Sequence, residues 1–235
     1  MKETLGKLYI VATPIGNLED ITYRAIRILE EADVVLCEDT RVTGKLLHHY
    51  HLEVKTMSYF QHSGIAKVDS IVKQLEDGAT MALVTDAGTP GISDPGQELI
   101  SKIREELPDV AIIPVPGASA VPAAASVAGV IEKEFYFAGF LPKKKGRQTK
   151  FLELVKLNCP IMFYESALRL PRSLQEISDY FGSNTEVFIA REMTKMHEEY
   201  WSGKIHDIIT TLDTHTLKGE VVVIISKIRK NSKSE

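Results

Sequence analysis

The segment Asp86-Ala-Gly-Thr-Pro-Gly-Ile-Ser-Asp-Pro-Gly96 packs three glycines, two prolines and two carboxylates into eleven residues, directly after the apolar run Met81-Ala-Leu-Val-Thr85. Such a stretch cannot continue a strand or sit inside a helix. A rigid, glycine-permissive turn at the carboxyl end of a buried strand is where open α/β sheets bind ligands. Glycines let backbone N–H and C=O groups touch a ligand, and prolines hold the loop in shape beforehand. The plainer alternative is an ordinary strand-to-helix connection.

The first half of the chain alternates short apolar runs with helix-period segments. Leu8-Tyr-Ile-Val-Ala12 reads as a strand. Ala25, Ile28, Leu29 and Ala32 share one helical face, with Thr22 placed to cap it. Asp33–Leu36 and Met81–Thr85 read as further strands, Leu99, Ile100, Ile103 and Leu107 mark a helix, and Val110–Ile113 reads as a strand closed by Pro114-Val-Pro-Gly117. Strands interleaved with helices imply an α/β fold with a parallel sheet covered on both faces.

The second half repeats this rhythm: strands at Phe135–Gly139, Pro160–Tyr164, Glu186–Ala190 and Glu220–Ile225, and helices at Gln148–Leu157 and near Leu168–Tyr180. Two α/β domains of similar size are expected, 1–116 and 117–228, with the last strand central in its sheet. The charged tail from Lys227 is expected to fray, 229–235 lying outside the second domain.

With 235 residues and 44% hydrophobic content the chain can bury a substantial core, and its net charge of −4 provides no global attraction to nucleic acid. Cys37 and Cys159 stand alone, which argues against a zinc site or disulfide framework and suits a reducing cytoplasm. No metal is expected. The run Leu8–Thr13 is too short for a signal peptide, and Val121–Ile131 falls short of the ~20 residues that span a bilayer. A soluble cytoplasmic protein without a membrane partner is expected.

Three more punctuated loops follow strands: Thr13-Pro-Ile-Gly-Asn-Leu-Glu-Asp20, Cys37-Glu-Asp-Thr-Arg41 and Pro116-Gly-Ala-Ser119. With the Asp86–Gly96 segment, four loops should gather on the carboxyl edge of one sheet. No G-x-G-x-x-G follows the first strand and no G-x-x-x-x-G-K-[ST] occurs, and the loops lack a phosphate-facing lysine. They favour a ligand gripped by backbone groups and carrying little negative charge. An adenosyl group with a sulfonium and an amino-acid tail fits better than ATP.

Six motifs occur in one order and spacing: Tyr9–Thr22, Cys37–Arg41, Asp86–Gly96, Gly139-Phe-Leu-Pro142, Arg191-Glu-Met-Thr-Lys195 and Leu217-Lys-Gly-Glu220. Through them the chain resembles the ribosomal RNA small-subunit methyltransferase I family of the tetrapyrrole-methylase-like superfamily, over about residues 7 to 226. The resemblance implies a class III methyltransferase fold of two α/β domains, binding S-adenosylmethionine between them, as a homodimer. It implies methylation of a cytidine ribose 2′-hydroxyl in the decoding region of 16S rRNA, within the small ribosomal subunit. The cofactor positions it implies are Pro14, Asp86, Ala87, Gly88, Thr89, Pro90, Ser119, Ala120, Tyr164, Gly219 and Glu220.

Three departures stand out. Where the family commonly has Glu-Ser-Pro-His-Arg, this chain has Glu165-Ser-Ala-Leu-Arg169, so no role of that histidine transfers. Pro116-Gly-Ala118 replaces a common Pro-Gly-Pro. Some relatives carry a further C-terminal helical module for which this chain leaves no room, so RNA contacts are expected from the two domains or the dimer.

Methyl transfer to a hydroxyl needs alignment and removal of a proton. Glu38, Asp39 and Arg41 form one charged candidate group, and Arg191, Glu192 and Lys195 the other. A carboxylate or a lysine of depressed pKa is expected to take the proton, with the arginines holding RNA phosphate. The alternative is that the two groups pair with each other to lock the domains together. Lys143, Lys144, Lys145 and Arg147, with Lys150 nearby, read either as a solvated turn or as a phosphate-contacting arm. Tyr200 and Trp201 either stack on a base or belong to the core or a dimer interface. His48, His49 and His51 lack the partners of a metal site and read as a polar helix end. A small-molecule tetrapyrrole methylase and a non-catalytic adenosyl-binding regulator are the competing functions.

Overall fold

The computed structural model describes residues 5–60, 63–212 and 217–226. The expected fraying of the tail from Lys227 lies outside them. The chain divides into two compact units, Met1–Ser119 and Ala120–Glu235, so the division falls three residues past Pro116.

The first unit runs β1 (Lys7–Val11), α1 (Tyr23–Glu31), β2 (Val34–Cys37), α2 (Thr40–His49), β3 (Thr56–Ser58), α3 (Ile65–Glu76), β4 (Thr80–Leu83), α4 (Gln97–Glu106) and β5 (Ala111–Val115). Its five strands pair in the order β3-β2-β4-β1-β5 and every pairing is parallel. The side chains explain the layering. Leu8, Leu36, Met81 and Leu83 face Val68, Ile71 and Leu75 of α3 and Leu99 and Ile103 of α4. Val11, Val35, Ala82 and Val84 face Ala25, Ile28 and Leu29 of α1 and Leu47 of α2 on the opposite side. Near-continuous apolar strands are what a sheet buried on both faces requires. Helix α1 is capped by Thr22, whose hydroxyl accepts the Ala25 N–H at 3.0 Å, as its sequence predicts.

The helix after β1 and the helix after the adjacent β4 therefore lie on opposite faces. That makes the carboxyl ends of β1 and β4 a switch point of the sheet, where a crevice opens. Pro114 does not close β5 but lies within it, tolerated because β5 is an edge strand.

The second unit runs α5 (Ala120–Ala128), β6 (Tyr136–Phe140), α6 (Arg147–Leu154), β7 (Ile161–Ser166), α7 (Leu170–Phe181), β8 (Glu186–Arg191), β9 (Glu199–Lys204), α8 (Ile205–Leu212) and β10 (Glu220–Ile225). Its sheet, ordered β6-β7-β10-β8-β9, keeps β10 at the centre as expected. It is not a second parallel sheet: only β6 and β7 pair in parallel, and the other pairings are antiparallel. One face packs Phe163, Ile189, Val221 and Val223 against Phe151 of α6, Leu174 of α7 and Ile208 of α8. Tyr200 and Trp201 lie on the edge strand β9; Trp201 packs against this core and Tyr200 stacks on Phe188 at 5.9 Å. His48 and His49 do end helix α2. Among the described residues no helix is long and apolar enough to cross a membrane, and no group of three or more His, Cys, Asp or Glu side chains is arranged to hold a metal ion.

Candidate functional site

The four strand-end loops of the first unit meet, and hydrogen bonds join them. Thr13 and Gly88 exchange a backbone pair, Thr13 N–H to Gly88 O at 2.9 Å and Gly88 N–H to Thr13 O at 3.0 Å. The buried Thr13 hydroxyl donates to Thr85 O at 3.2 Å. Asp39 N–H donates to Asp86 Oδ1 at 3.2 Å, and the Thr89 hydroxyl donates to Ala118 O at 3.1 Å. The loop after β4 is thus tied to each of the other three.

Its composition explains its path. Gly88, Gly91 and Gly96 have φ of +84°, +83° and +138°, and Ser93 has φ +63°. At Gly88 a Cβ would lie 3.3 Å from Ile15 Cγ2, so the residue is held both by its left-handed backbone and by close packing. Pro14 and Thr89 are half-buried, Gly88 and Pro90 buried, Asp86 and Ala87 exposed, and Ser119 half-buried ahead of Ala120, which opens α5.

Charge on this edge is mostly negative. The Cys37–Arg41 segment is not all loop: Cys37 ends β2, Asp39 caps α2 by accepting the Arg41 N–H at 2.8 Å, and Thr40 and Arg41 begin the helix. The Arg41 guanidinium lies against Asp39 at 2.6 Å and holds that carboxyl down at about 2. Glu38 is different. Partial burial, then the charges of Asp86 and Asp39, raise its pKa. Desolvation, helped by the Asp39 charge, raises that of Asp86 as well.

In the second unit the ends of β7 and β8 and the start of β10 form one sheet edge, since β10 lies antiparallel between the other two. Lys195 Nζ donates to Glu192 Oε1 at 2.9 Å and to Glu220 Oε2 at 2.8 Å, and Glu192 Oε1 also accepts the Glu220 N–H at 2.9 Å. Burial opposes the charge on Lys195, but the two carboxylates outweigh it and raise the pKa. The expectation of a lysine with depressed pKa is therefore corrected: this ammonium stays protonated. Burial likewise opposes ionisation of Glu192, yet the Glu220 N–H and Lys195 hold its carboxyl below the usual range.

Arg191 is committed as well, its Nε and NH2 groups to Glu199 at 3.0 and 2.8 Å and its NH1 group to Lys218 O at 2.8 Å. It braces β9 rather than offering a free fork to phosphate. Glu192 and Thr194 have φ of +51° and +66°, strained for side chains that carry a Cβ. Gly219, at φ +101°, lies where a Cβ would overlap the Glu192 carboxylate. Gly219→Ala is accordingly expected to cost about 1–3 kcal/mol in backbone strain and to push Glu192 off Lys195 and the Glu220 N–H. Urea unfolding checks this: a lowered midpoint is expected, with Lys218→Ala beside it neutral, and an unchanged Gly219→Ala midpoint contradicts the account.

Tyr164, half-buried on β7, is flanked by Phe137 at 4.9 Å and Phe140 at 5.2 Å between ring centres. Lys143, Lys144 and Lys145 are exposed in the turn before α6. Arg147 is not part of that surface. Its side chain is 3% exposed, with Nε 2.7 Å from Glu176 Oε2, NH1 3.1 Å from Pro142 O and NH2 2.7 Å from the Ser173 hydroxyl. The expectation that it contacts RNA is corrected, because every nitrogen of the guanidinium is spent inside the protein. The sequence reading missed its counterpart, Glu165, whose fully buried carboxylate faces Arg147 at 3.6 Å, pairs with Arg169, and accepts the Ser173 hydroxyl at 2.7 Å and the Ser166 N–H at 2.9 Å. The signal was present in the Glu165–Arg169 motif, but nothing local marks that glutamate as buried.

Residues 7–209 match the family model of the tetrapyrrole (corrin/porphyrin) methylases. Curated relatives named ribosomal RNA small subunit methyltransferase I include one from Synechocystis, 40% identical over 94% of this chain and 79% of its own length, and one from Halalkalibacterium halodurans, 43% identical over 95% and 77%. A relative of the same name from Thermotoga maritima is 43% identical over 94% of this chain and 99% of its own length. Among solved structures, a cobalt precorrin-4 methyltransferase superposes with a TM-score of 0.68 at 20% identity, covering 94% of each chain. A uroporphyrin-III C-methyltransferase from Thermus thermophilus, complexed with S-adenyl homocysteine, gives 0.63 at 15% identity over 93% of this chain and 97% of that one. The strand-end loops and the sequence relatives converge, and the chain belongs to the ribosomal RNA small subunit methyltransferase I family, within the tetrapyrrole methylases.

Proposed function

We propose that this protein methylates the ribose 2′-hydroxyl of a cytidine in the decoding region of 16S rRNA, using S-adenosylmethionine. The observation that carries the cofactor is the joined carboxyl edge of the first unit. Its donor set fits that group: Glu38, Asp39 and Asp86 stand there against the single guanidinium of Arg41, a field suited to a ligand bearing a sulfonium and an ammonium. The exposed Asp86 and Ala87 supply acceptors and donors for the rest. Small-subunit rRNA as the substrate is supported by the shared name of relatives at 40% and 43% identity.

Pro14, Asp86, Ala87, Gly88, Thr89, Pro90 and Ser119 hold the cofactor in this reading, and the family resemblance adds Ala120, Tyr164, Gly219 and Glu220. When bound, S-adenosylmethionine supplies a methyl group already activated by its sulfonium. The protein aligns the ribose oxygen and receives its proton. Among the candidate groups Glu38 suits that task best, since a raised carboxyl pKa brings the base closer to the working pH. Asp39, held by Arg41, is too weak a base, and Lys195 is already protonated. Glu192 and Lys195 position the Glu220 backbone and carboxylate, and Lys143 to Lys145 draw in phosphate.

The test is methyl transfer from labelled S-adenosylmethionine to small ribosomal subunits lacking the modification, with uroporphyrinogen III offered in parallel. Label on the rRNA alone is expected. Label on the tetrapyrrole alone overturns the reading, and cofactor binding without any transfer points to a regulatory module instead.

A further inference from the structure

The Gly139-Phe-Leu-Pro142 stretch presents one aromatic ring to solvent. Phe140 ends β6, an edge strand, and is 58% exposed. Its neighbours are fixed. Gly139 has φ +63° and the pairing of β6 with β7 shifts register between Phe137 and Phe140, so the strand kinks there. Leu141 is buried, and Pro142 O accepts from the buried Arg147 guanidinium. The kink and these anchors send Leu141 into the core and leave Phe140 outside, its ring 5.2 Å from Tyr164.

The chain just after the ring is cationic. Lys143, Lys144 and Lys145 follow after two intervening residues, exposed and without a salt bridge among the described residues. Lys150 Nζ lies 5.3 Å from the ring centre of the part-exposed Tyr136 on the same strand. Exposed aromatic rings interleaved with ammonium groups are the pattern by which proteins grip single-stranded nucleic acid: bases stack on the rings, and cations track the backbone.

We infer that Phe140 is a stacking platform for a base of single-stranded RNA whose phosphates pass Lys143 to Lys145. The inference rests on the RNA reading above and deepens it. Three lysines without carboxylate partners favour a polyanion over a protein surface as the occupant.

The test uses a fluorescein-labelled twelve-nucleotide single-stranded RNA of mixed sequence, followed by anisotropy across a salt series. Phe140→Ala and Phe140→Leu are expected to weaken binding about 5- to 20-fold, because stacking is lost even when apolar bulk is kept, while Phe140→Trp restores it. Replacing all three lysines by alanine is expected to flatten the dependence of log K on log salt by about 2, whereas Phe140→Ala leaves that slope unchanged. Thermal midpoints confirm that the variants are folded, as the exposure of the ring leads one to expect. Wild-type affinity in both Phe140→Ala and Phe140→Leu overturns the platform, as does a loss of self-association on sedimentation with RNA affinity intact. If the wild-type protein neither binds this RNA nor methylates small subunits, the RNA reading fails and the platform with it. If wild type does both and Phe140→Ala matches it, only the platform fails.

Discussion

Glu165→Ala is expected to destabilise the protein by about 3–5 kcal/mol, the cost of breaking a buried ion pair by removing one partner. Glu165 and Arg147 are 0% and 3% exposed at their side chains, so neither charge can fall back on water. With the carboxylate gone, Arg147 keeps Glu176 and Arg169 keeps little, and the Ser173 hydroxyl loses its acceptor. For a chain of this size the loss corresponds to a drop in thermal midpoint on the order of 10 °C. Arg147→Met provides the contrast. It leaves Glu165 with Arg169, Ser173 and the Ser166 N–H, fills the space with apolar bulk, and is expected to cost less. Calorimetry checks both, and a Glu165→Ala loss below about 1 kcal/mol contradicts the network. Because Arg147 is internal, Arg147→Met should also leave the salt dependence of RNA binding untouched.

Glu38→Gln is expected to lower kcat by about 10²- to 10⁴-fold, the usual contribution of a positioned base, with cofactor affinity little changed. The pH dependence carries the sign. A carboxyl whose pKa is raised holds its proton further up the pH scale, so the base appears only above that raised value. Wild-type kcat should therefore climb with pH through a midpoint raised from that of an ordinary glutamate and then level off. In Glu38→Gln that acidic limb should vanish. Lys195→Met is the control: its ammonium is held charged by Glu192 and Glu220, so its loss should displace those groups without removing the limb. A limb that survives in Glu38→Gln and disappears in Lys195→Met would contradict the assignment.

Much of this was legible in the sequence because it is local. The apolar runs of the first unit, punctuated by glycine and proline, predict a parallel sheet with four loops on its carboxyl edge, and the hydrogen bonds from Thr13, Asp39 and Thr89 join those loops. What the sequence concealed depends on partners far along the chain. Arg147 reads as one more member of a basic turn, yet its partners lie 18 residues on at Glu165 and 29 on at Glu176. Lys195 reads as a candidate base because Glu220, which holds its proton, is 25 residues away. Strand β9, Glu-Tyr-Trp-Ser-Gly-Lys, lacks the apolar alternation of a half-buried strand, since it is an edge whose register is set by β8. Pro114 marks a strand end by local rule and is overridden by its place at the sheet edge.

The most direct test of the central claim is chemical and positional. Small ribosomal subunits lacking the modification are incubated with the protein and S-adenosylmethionine, the 16S rRNA is digested, and the nucleosides are resolved by mass spectrometry while primer extension locates the site. The account predicts 2′-O-methylcytidine, at a single position in the decoding region. A methyl group on a base, on another nucleoside, or elsewhere in the rRNA would contradict it.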